Sequence, residues 1–326
     1  MTPAALREAI ALFPSLSLIP APTPVEPLPR LSALLGGGPR LLIKRDDAIP
    51  FAFGGNKVRK LALVGARAQA DGADTLITAG GVQSNHARAT AATAAKLGMR
   101  AVLVANGTAP THLTANALLD CLLGAEVVYV PSREDRAPAI FEIADRLRRE
   151  GRRPYAIPIG ASTPLGALAF ALAVAELVDQ IPPPDVIVHS TSSGGTQAGL
   201  VAGCRLLGLP TRVVGISADD TAQSLQAQVR AIVSGMADLL GMDPVKLARG
   251  TAIEVDDRFV GDGYGIPTDD SREAIELAAR TEAIFLDPTY TAKAMAGLIA
   301  YVRQARFVEG QTVLFWHTGG QVGLFA

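Results

Sequence analysis

The sequence predicts an α/β protein with two domains, each built on a mostly parallel open sheet flanked by helices. Seven short apolar segments have the character of buried strands, and most end in Gly, Ser, Asn or Pro: residues 75–80, 100–106, 125–131, 154–160, 185–190, 212–218 and 311–320. Alanine-rich segments with helical periodicity lie between them, as in residues 86–98 and 167–180. Alternation of helices with nearly continuous apolar strands is typical of parallel sheets covered on both faces.

The division into two domains follows from the length and from two interruptions of this pattern. A chain of 326 residues exceeds an ordinary single core and suits two. A turn-rich passage at residues 158–170 and a proline run at 180–185 break the alternation. We therefore expect a domain boundary near residue 165. The proline-rich first 50 residues are expected to form an arm that wraps the second domain.

Composition excludes several classes of function. Hydrophobic residues make up 49% of the chain and charged residues 19%, which is typical of a globular protein. The formal net charge of -1 provides no overall field for binding nucleic acid or an anionic membrane. No apolar run reaches the ~18 residues of a membrane span, and the N-terminus lacks the features of a signal peptide. The two isolated cysteines, Cys121 and Cys204, favour a reducing compartment, so we expect a cytoplasmic protein.

Lys57 is the first candidate for chemistry. It follows a Gly54-Gly55-Asn56 turn at the start of a helical stretch. A lysine in this position is either one more solvated cation or an amine held in a crevice. Burial in an apolar crevice would lower its pKa and make it a nucleophile or a base. The local sequence leaves both interpretations open.

Two loops that run from a strand into a helix are candidate anion sites, because a helix N-terminus presents free N–H groups and a positive dipole end. The first is residues 83–86, Gln83-Ser84-Asn85-His86, which follow Gly80-Gly81. It suits a carboxylate, although a simple capped helix explains the same residues. The second is residues 192–196, rich in small polar residues, which suits a phosphate monoester. It matches neither a dinucleotide fingerprint nor a P-loop.

Three further residues are candidates because of where they lie. Tyr264 is flanked by glycines, and Tyr290 follows a proline just before a helix. Loop tyrosines can stack on a ligand, donate a hydrogen bond or transfer a proton. Ordinary packing explains either tyrosine taken alone. Thr318 closes the last apolar strand before two glycines, at the strand end where ligands bind in parallel sheets.

A metal site and a hydrolase triad are not expected. The four histidines form no pair with the spacing of metal ligands: His86, His112, His189 and His317. Ser84 lacks the G-x-S-x-G elbow of an α/β-hydrolase.

One lysine after a glycine turn, one phosphate site and one small-anion site fit a single set of ligands. Pyridoxal phosphate has an aldehyde for a lysine and a phosphate for a helix N-terminus. An amino-acid substrate has a carboxylate for a second helix N-terminus.

Seven motifs in the same order along the chain show a resemblance to a known family. They are KRDD (44–47), FGGNKVRKL (53–61), QSNHARATAA (83–92), SGGTQAG (193–199), GYGIP (263–267), LDPTYTAKAMAGL (286–298) and HTGG (317–320). In these motifs the chain resembles the 1-aminocyclopropane-1-carboxylate deaminase/D-cysteine desulfhydrase family. The resemblance implies a two-domain fold like that of the tryptophan synthase β-subunit, which is fold type II of pyridoxal phosphate enzymes.

The resemblance also implies roles for individual residues. Lys57 matches the lysine that binds the cofactor covalently, and Asn85 matches a residue near the cofactor's phenolic oxygen. The substrate carboxylate is assigned to Gln83, Ser84, Asn85 and His86. Catalytic roles are assigned to Lys57, Ser84, Tyr264 and Tyr290, and the phosphate site to Ser193, Gly194, Gly195 and Thr196. Residues 1–54 and 166–326 correspond to a large cofactor-binding domain, and residues 55–165 to a small domain that carries the substrate-carboxylate site.

Two positions favour one branch of the family. The cyclopropane deaminases have a glutamate where this chain has Thr291 and tend to have leucine where it has Thr318. In the desulfhydrase branch a threonine at the second position contacts the pyridine nitrogen. In the cyclopropane deaminases the glutamate at the first position pairs with the pyridine nitrogen. Its carboxylate keeps the ring protonated and makes it a strong electron sink, as opening a cyclopropane requires. Loss of sulfide requires a weaker electron sink. A neutral threonine next to the ring nitrogen therefore favours β-elimination.

The sequence therefore predicts a lyase that uses pyridoxal 5'-phosphate and eliminates the β-substituent of a small amino acid. The leading reaction converts D-cysteine into pyruvate, hydrogen sulfide and ammonia. The alternatives are the same chemistry on cysteate or β-chloroalanine, cyclopropane deamination and, least favoured, a cofactor-binding protein without turnover. The enantiomer and the group that takes the Cα proton stay open. We expect a homodimer with no nucleic-acid or membrane partner.

Overall fold

The computed structural model describes residues 1–249 and 251–326 and contains two sheets with helices around them. The strands are Val25–Pro27 (β1), Arg40–Arg45 (β2), Thr75–Gly81 (β3), Arg100–Asn106 (β4), Glu126–Val130 (β5), Pro154–Ala156 (β6), Val186–Thr191 (β7), Arg212–Ser217 (β8), Glu254–Asp256 (β9) and Thr312–His317 (β10). The helices are Pro3–Ile10 (α1), Pro29–Leu34 (α2), Asn56–Ala70 (α3), Asn85–Lys96 (α4), Ala115–Leu122 (α5), Arg136–Arg149 (α6), Pro164–Gln180 (α7), Gly195–Leu207 (α8), Ala222–Leu239 (α9), Pro244–Ala248 (α10), Asp269–Glu282 (α11) and Thr291–Arg303 (α12).

Both sheets are mainly parallel, as the sequence predicts. The large sheet has the strand order β1-β2-β10-β7-β8-β9, and β1 alone runs antiparallel to its neighbour. The small sheet has the order β5-β4-β3-β6, with every pair parallel. All strands of the small sheet lie between residues 75 and 156. These strands fall within residues 55–165, the limits predicted for the small domain. The exact domain limits stay a prediction.

The large sheet is buried on both faces, which explains why its strands are apolar without alternation. Val186 and Val188 point into a core formed with α11 and α12, whereas Ile187 points into a second core with α7 and α8. Successive side chains of a strand face opposite sides, so both positions must be apolar here. Among the described residues, no helix combines the length and the apolar character needed to cross a bilayer.

The N-terminal region differs from the expected arm. Residues 25–27 and 40–45 form strands β1 and β2 at the edge of the large sheet, and α1 packs against α7. The predicted strand 154–160 is also shorter, because β6 ends at Ala156 and a single 3₁₀ turn follows at Ile159–Ala161. Pro158 has no N–H for a sheet hydrogen bond, which explains the early end of the strand.

A buried charged cluster joins α3 to the large sheet. Asp46 is fully buried and accepts hydrogen bonds from Arg59 (2.8 and 2.9 Å) and from the Trp316 indole (2.8 Å). Glu176 on α7 bonds to the same Arg59 (2.9 Å) and to Lys44 (2.6 Å). Each buried charge therefore has a charged partner, as burial requires.

Glu176 is expected to provide stability that is lost in acid. Burial opposes its ionisation, but Arg59 and Lys44 outweigh that effect and lower its pKa from 4.5 to about 2. A carboxylate with a lowered folded-state pKa stabilises the fold fully above its unfolded pKa, and this contribution disappears as the pH falls from about 4.5 towards 2. The shift corresponds to about 3 kcal/mol. Urea unfolding of Glu176→Gln should therefore give a lower free energy of unfolding at pH 7 and a smaller loss between pH 5 and pH 3.

The matched control is Glu276→Gln, which removes an exposed ion pair with Arg280. Such pairs contribute only about 0–1 kcal/mol, so this variant should follow the wild-type pH profile. Equal profiles for Glu176→Gln and Glu276→Gln would contradict the role given to the cluster.

Candidate active site

A cavity of about 540 Å³ lies between the two sheets, where strands β3, β7 and β10 end. Ligands of open parallel sheets bind at the carboxyl ends of the strands. Residues predicted from the sequence line this cavity: Lys57, Ser84, Asn85, His86, Ser193, Gly194, Thr196, Tyr264, Tyr290 and Thr318. The structure thus brings together side chains that lie up to 261 residues apart in the chain, Lys57 and Thr318.

Lys57 is the second residue of α3, and its amine borders the cavity. The turn before it needs positive φ angles, 69° at Gly54 and 97° at Gly55, which glycine adopts easily. Burial lowers the Lys57 pKa from 10.5 to about 8. A useful fraction of the amine is therefore unprotonated near neutral pH, as a nucleophile or base requires.

Two glycine-containing segments cross in close contact beside this lysine. The Asn56 N–H donates to the Thr318 carbonyl oxygen (3.0 Å). A Cβ atom added to Gly319 would lie 2.5 Å from the Gly55 Cα, and one added to Gly55 would lie 2.8 Å from the Thr318 oxygen. The crossing thus requires glycine on both segments and fixes the start of α3 against the end of β10.

The predicted phosphate loop forms the N-terminus of α8. Gly194 caps the helix with φ 73°, and Ser193, Gly194 and Thr196 line the cavity. Gly195 does not line it, because its N–H donates to the Ser162 hydroxyl (3.2 Å). The Thr196 hydroxyl accepts a hydrogen bond from the Asn56 side chain (2.9 Å), which connects this loop to the lysine turn.

Lys60 is a buried lysine next to this site that was not predicted from the sequence. Its buried ammonium donates to the Gly160 carbonyl and the Ser162 hydroxyl (both 3.2 Å), and Ser162 contacts Ser193 (2.8 Å). Burial lowers its pKa well below 10.5, and the charge of Lys57 adds to this. The signal was present in the sequence, since residues three apart share one face of a helix.

The substrate loop is only partly arranged as predicted. Ser84 caps α4 by accepting a hydrogen bond from the Ala87 N–H (3.2 Å), and it lines the cavity with Asn85. Gln83 does not line the cavity, because its side chain accepts a hydrogen bond from the N–H of Asn116 (2.9 Å). The candidate carboxylate site therefore consists of the α4 N-terminus itself. Gln83 lies outside the cavity and connects this loop to Asn116 by hydrogen bonds.

His86 reaches the cavity wall, but its ring is held inside the small sheet. The Thr78 hydroxyl donates to the Ile157 carbonyl (2.8 Å), so it accepts a hydrogen bond from Nε2 of His86 (2.8 Å). Burial and the charges of Lys57 and Lys60 lower the His86 pKa well below 6.5. His86 is therefore a neutral residue near the site at neutral pH.

Tyr264 and Tyr290 form a pair that lines the cavity. Their hydroxyl groups share a hydrogen bond, and their rings meet edge to face at 5.7 Å. Burial raises the pKa of Tyr264 and, more strongly, that of Tyr290, where the neighbouring Tyr264 adds to the effect. Both are neutral phenols that can donate or relay a proton.

Two arginines at the cavity were also missed from the sequence. Arg133 forms an ion pair with Asp219 (2.8 Å) and lies over the ring of Tyr264 (4.8 Å). Arg136 bonds to the amide of Asn106, and its buried Nε has no partner among the described residues. Both lie in the segment before and at the start of α6, which belongs to none of the seven motifs.

Comparison with known proteins identifies the family. Residues 16–319 match the family described as "Pyridoxal-phosphate dependent enzyme". The chain belongs to this family. It is 41% identical over 322 residues to D-cysteine desulfhydrase of Salmonella newport (strain SL254), covering 96% of each chain. A crystal structure of an ACC deaminase homologue superposes with a TM-score of 0.90 at 37% identity, covering 98% of this chain and 96% of that one. Threonine deaminase isoform 2 of Solanum lycopersicum (TM-score 0.71, 18% identity, 98% and 84% covered) shares the fold.

The cavity of this pyridoxal phosphate enzyme fits its cofactor. A phosphate would meet the N-terminus of α8, and the buried amine of Lys60 lies behind that loop, bonded only to neutral oxygens. Ser190 and Thr191 line the cavity, and their buried hydroxyl groups have no partner in the described part of the chain. Buried hydroxyl groups normally have partners, so these are available to a bound molecule. Lys57 is the one lysine among the described residues that line the cavity, so its amine is available to an aldehyde.

The crossing beside Lys57 leads to a prediction about Gly319. Alanine at its φ of 82° would be strained and would also clash with Gly55. Gly310 is a matched control, because it has φ 86° with nothing within 4 Å of an added Cβ. Gly310→Ala should therefore lose only the strain energy of about 1 kcal/mol. Gly319→Ala should lose about 3 kcal/mol or more and bind pyridoxal phosphate more weakly. Urea unfolding and cofactor titration measure these effects, and equal losses in both variants would contradict the proposed constraint.

Proposed function

We propose that this enzyme catalyses α,β-elimination on a small amino acid, with D-cysteine as its leading substrate. The overall reaction is D-cysteine plus water giving pyruvate, hydrogen sulfide and ammonia. The main support is a single cavity in which an amine of lowered pKa, Lys57, lies between two helix N-termini suited to anions. The similarity to D-cysteine desulfhydrase over nearly the whole chain supports the choice of substrate.

The two helix N-termini divide the binding of cofactor and substrate. Ser193, Gly194 and Thr196 at α8, with Lys60 behind them, would hold the cofactor phosphate. Ser84 and Asn85 at α4 would hold the substrate carboxylate, which benefits from the free N–H groups and the helix dipole. The cofactor, when bound, supplies an aldehyde for the substrate amine and an electron sink for the charge that develops at Cα.

Residues on two sides of the cavity could transfer the Cα proton. Lys57 Nζ has a pKa of about 8 and can accept a proton once it is released from the cofactor. Ser84 and the Tyr264–Tyr290 pair line other parts of the same cavity and could act from there. The side used would determine whether D or L enantiomers react.

Thr318 supports elimination over ring opening. We assign its hydroxyl to the cofactor ring nitrogen, where a neutral partner leaves the ring uncharged. Thr291, the other position that separates the branches, is already engaged. Its hydroxyl donates to the buried carboxylate of Asp287 (2.6 Å) and accepts from the Asp287 N–H (2.8 Å). These hydrogen bonds stabilise the turn that precedes α12.

The substrate preference can be measured directly. We expect pyruvate from D-cysteine and little ketobutyrate from 1-aminocyclopropane-1-carboxylate, because a neutral ring stabilises a carbanion less well. The measurement is the ratio of kcat/KM for the two compounds. Cysteate and β-chloroalanine belong in the same panel because the motifs leave the leaving group open, and Arg133 and Arg136 line the cavity together with Asp219 and Asp220. A ratio favouring the cyclopropane acid would contradict the assignment of Thr318.

Lys57 can be tested by substitution. Lys57→Ala should lose the visible absorbance of the bound cofactor and reduce kcat/KM by on the order of 10³-fold or more, the scale of a lost acid–base or nucleophilic group. Lys96→Ala is the control, because Lys96 is an exposed lysine in the last turn of α4. Circular dichroism should show that both variants are folded. Unchanged absorbance and rate in Lys57→Ala would assign the cofactor to another amine.

We further propose that the enzyme is a cytoplasmic homodimer with the domain limits given above. Support for a reducing compartment comes from the two cysteines, since neither Cys121 nor Cys204 is paired. Support for self-association comes from Leu122 and Phe325, which are 73% and 75% exposed on α5 and on the C-terminal turn that packs against it. Large exposed apolar side chains on adjacent elements are typical of an interface.

A further inference from the structure

We propose that Asn116 is a positioning residue that orients the side-chain amide of Asn85, so that Asn85 Nδ2 donates into the cavity. The inference rests on the proposed function in one respect, because it takes the phenolic oxygen of pyridoxal phosphate as the group that this N–H meets. Asn116 belongs to none of the motifs from which the site was predicted. It is the second residue of α5, and it is completely buried.

The orientation of the Asn116 side-chain amide follows from two hydrogen-bond partners, one of which can only accept and the other only donate. Its Nδ2 lies 2.9 Å from the carbonyl oxygen of Gln83, which can only accept a hydrogen bond. Its Oδ1 lies 3.1 Å from Nη1 of Arg88, which can only donate one. Reversing the amide would break both hydrogen bonds, so the two contacts fix which atom is nitrogen and which is oxygen.

The orientation of Asn85 then follows from that of Asn116. The second hydrogen of Asn116 Nδ2 is donated to Asn85 Oδ1 (2.9 Å), and Arg88 approaches the same oxygen at 3.5 Å. Asn85 Oδ1 therefore faces two donors, and Nδ2 is left for the cavity side. Asn85 itself lines the cavity, and a Cβ atom added to the neighbouring Gly320 would lie 2.9 Å from Asn85 Nδ2 and 2.9 Å from Asp287 Oδ1.

The same network extends to the lysine turn. Arg88 is buried, and its Nη2 donates to the carbonyl oxygen of Gly54 (3.2 Å), three residues before Lys57. A continuous chain of hydrogen bonds thus runs from Gly54 through Arg88 and Asn116 to Asn85. The amide that would meet the cofactor oxygen and the turn that presents Lys57 are held by one set of contacts.

The chemical consequence concerns the charge of the cofactor's phenolic oxygen. A hydrogen bond donated to an anionic oxygen stabilises the anion and lowers the pKa at which it forms. A reversed Asn85 would direct a lone pair at that oxygen and would favour the protonated form. Asn116 should therefore influence the ionisation of the bound cofactor although it does not line the cavity.

Asn116→Asp reverses the hydrogen-bonding role of the side chain with little change in shape. The carboxylate still accepts from Arg88, but it can no longer donate to Asn85 or Gln83. Asn85 should then turn its Nδ2 towards the carboxylate and its Oδ1 towards the cavity. We expect the pH midpoint of the visible absorbance of the bound cofactor to rise by about one unit, and cofactor affinity to fall about fivefold, the scale of one hydrogen bond.

Asn116→Leu separates orientation from charge. Leucine has a similar size and no charge. Asn85 therefore loses the hydrogen bond from Asn116 that orients its amide, but nothing reverses that amide. The pH midpoint should rise by less than in Asn116→Asp, although Asn116→Leu should lose more thermal stability because Arg88 and Gln83 lose their partners. A merely structural role would give the opposite order, with the larger spectral change in the less stable variant. Cys121→Ser, a change at an exposed position of the same helix, should leave the midpoint unchanged.

The spectral titration needs the holoenzyme but no substrate. Failure of the wild-type enzyme to release pyruvate from D-cysteine would therefore contradict the proposed substrate and leave this test intact. A wild-type midpoint in Asn116→Leu, with or without a shift in Asn116→Asp, would overturn the positioning role, because any shift would then reflect the added charge alone.

Discussion

Two backbone segments cross in van der Waals contact at the floor of the cavity, and the position of Lys57 depends on that crossing. The Gly54-Gly55 turn meets Thr318-Gly319 so closely that a Cβ atom on Gly319 would lie 2.5 Å from the Gly55 Cα. The hydrogen bond from the Asn56 N–H to the Thr318 carbonyl joins the start of α3 to the end of β10. The amine is thus placed relative to the large sheet by backbone contacts, which side-chain motion cannot loosen.

The basic side chains of helix α3 point to two different environments. Lys57 and Lys60 lie on the face that looks towards the phosphate loop, where Lys60 meets only neutral oxygens. Arg59 points the other way, into the carboxylates of Asp46 and Glu176. The paired arginine stabilises the helix in place, whereas burial without a carboxylate partner lowers the pKa of Lys57 and of Lys60. The phosphate of a bound cofactor would bring a negative charge to the side of the cavity where Lys57 and Lys60 lie.

Polar networks around the cavity connect residues from different parts of the chain. Ser162 joins the phosphate loop to Lys60 through its hydroxyl group, and Asn116 joins the substrate loop to Arg88. Each of these residues is outside the motifs but bonds to a residue within one. Networks of this kind hold binding groups in place before a ligand arrives, which reduces the entropy lost on binding.

The sequence by itself determined the fold class and the cofactor, and it predicted the role of Lys57. Buried parallel strands must be apolar along their whole length, so they leave a local pattern. Lys57 is singled out only by its combination with two anion sites and by the order of the seven motifs. Tertiary structure decided what local patterns cannot carry. Whether Gln83 faces the cavity depends on Asn116, which lies 33 residues further along the chain. The sequence places Lys60 on the same helix face as Lys57, but only the folding of Ser162 against it brings it behind the predicted phosphate loop. Hydrogen bonds between distant segments have no sequence period, and for that reason they were not found from the sequence.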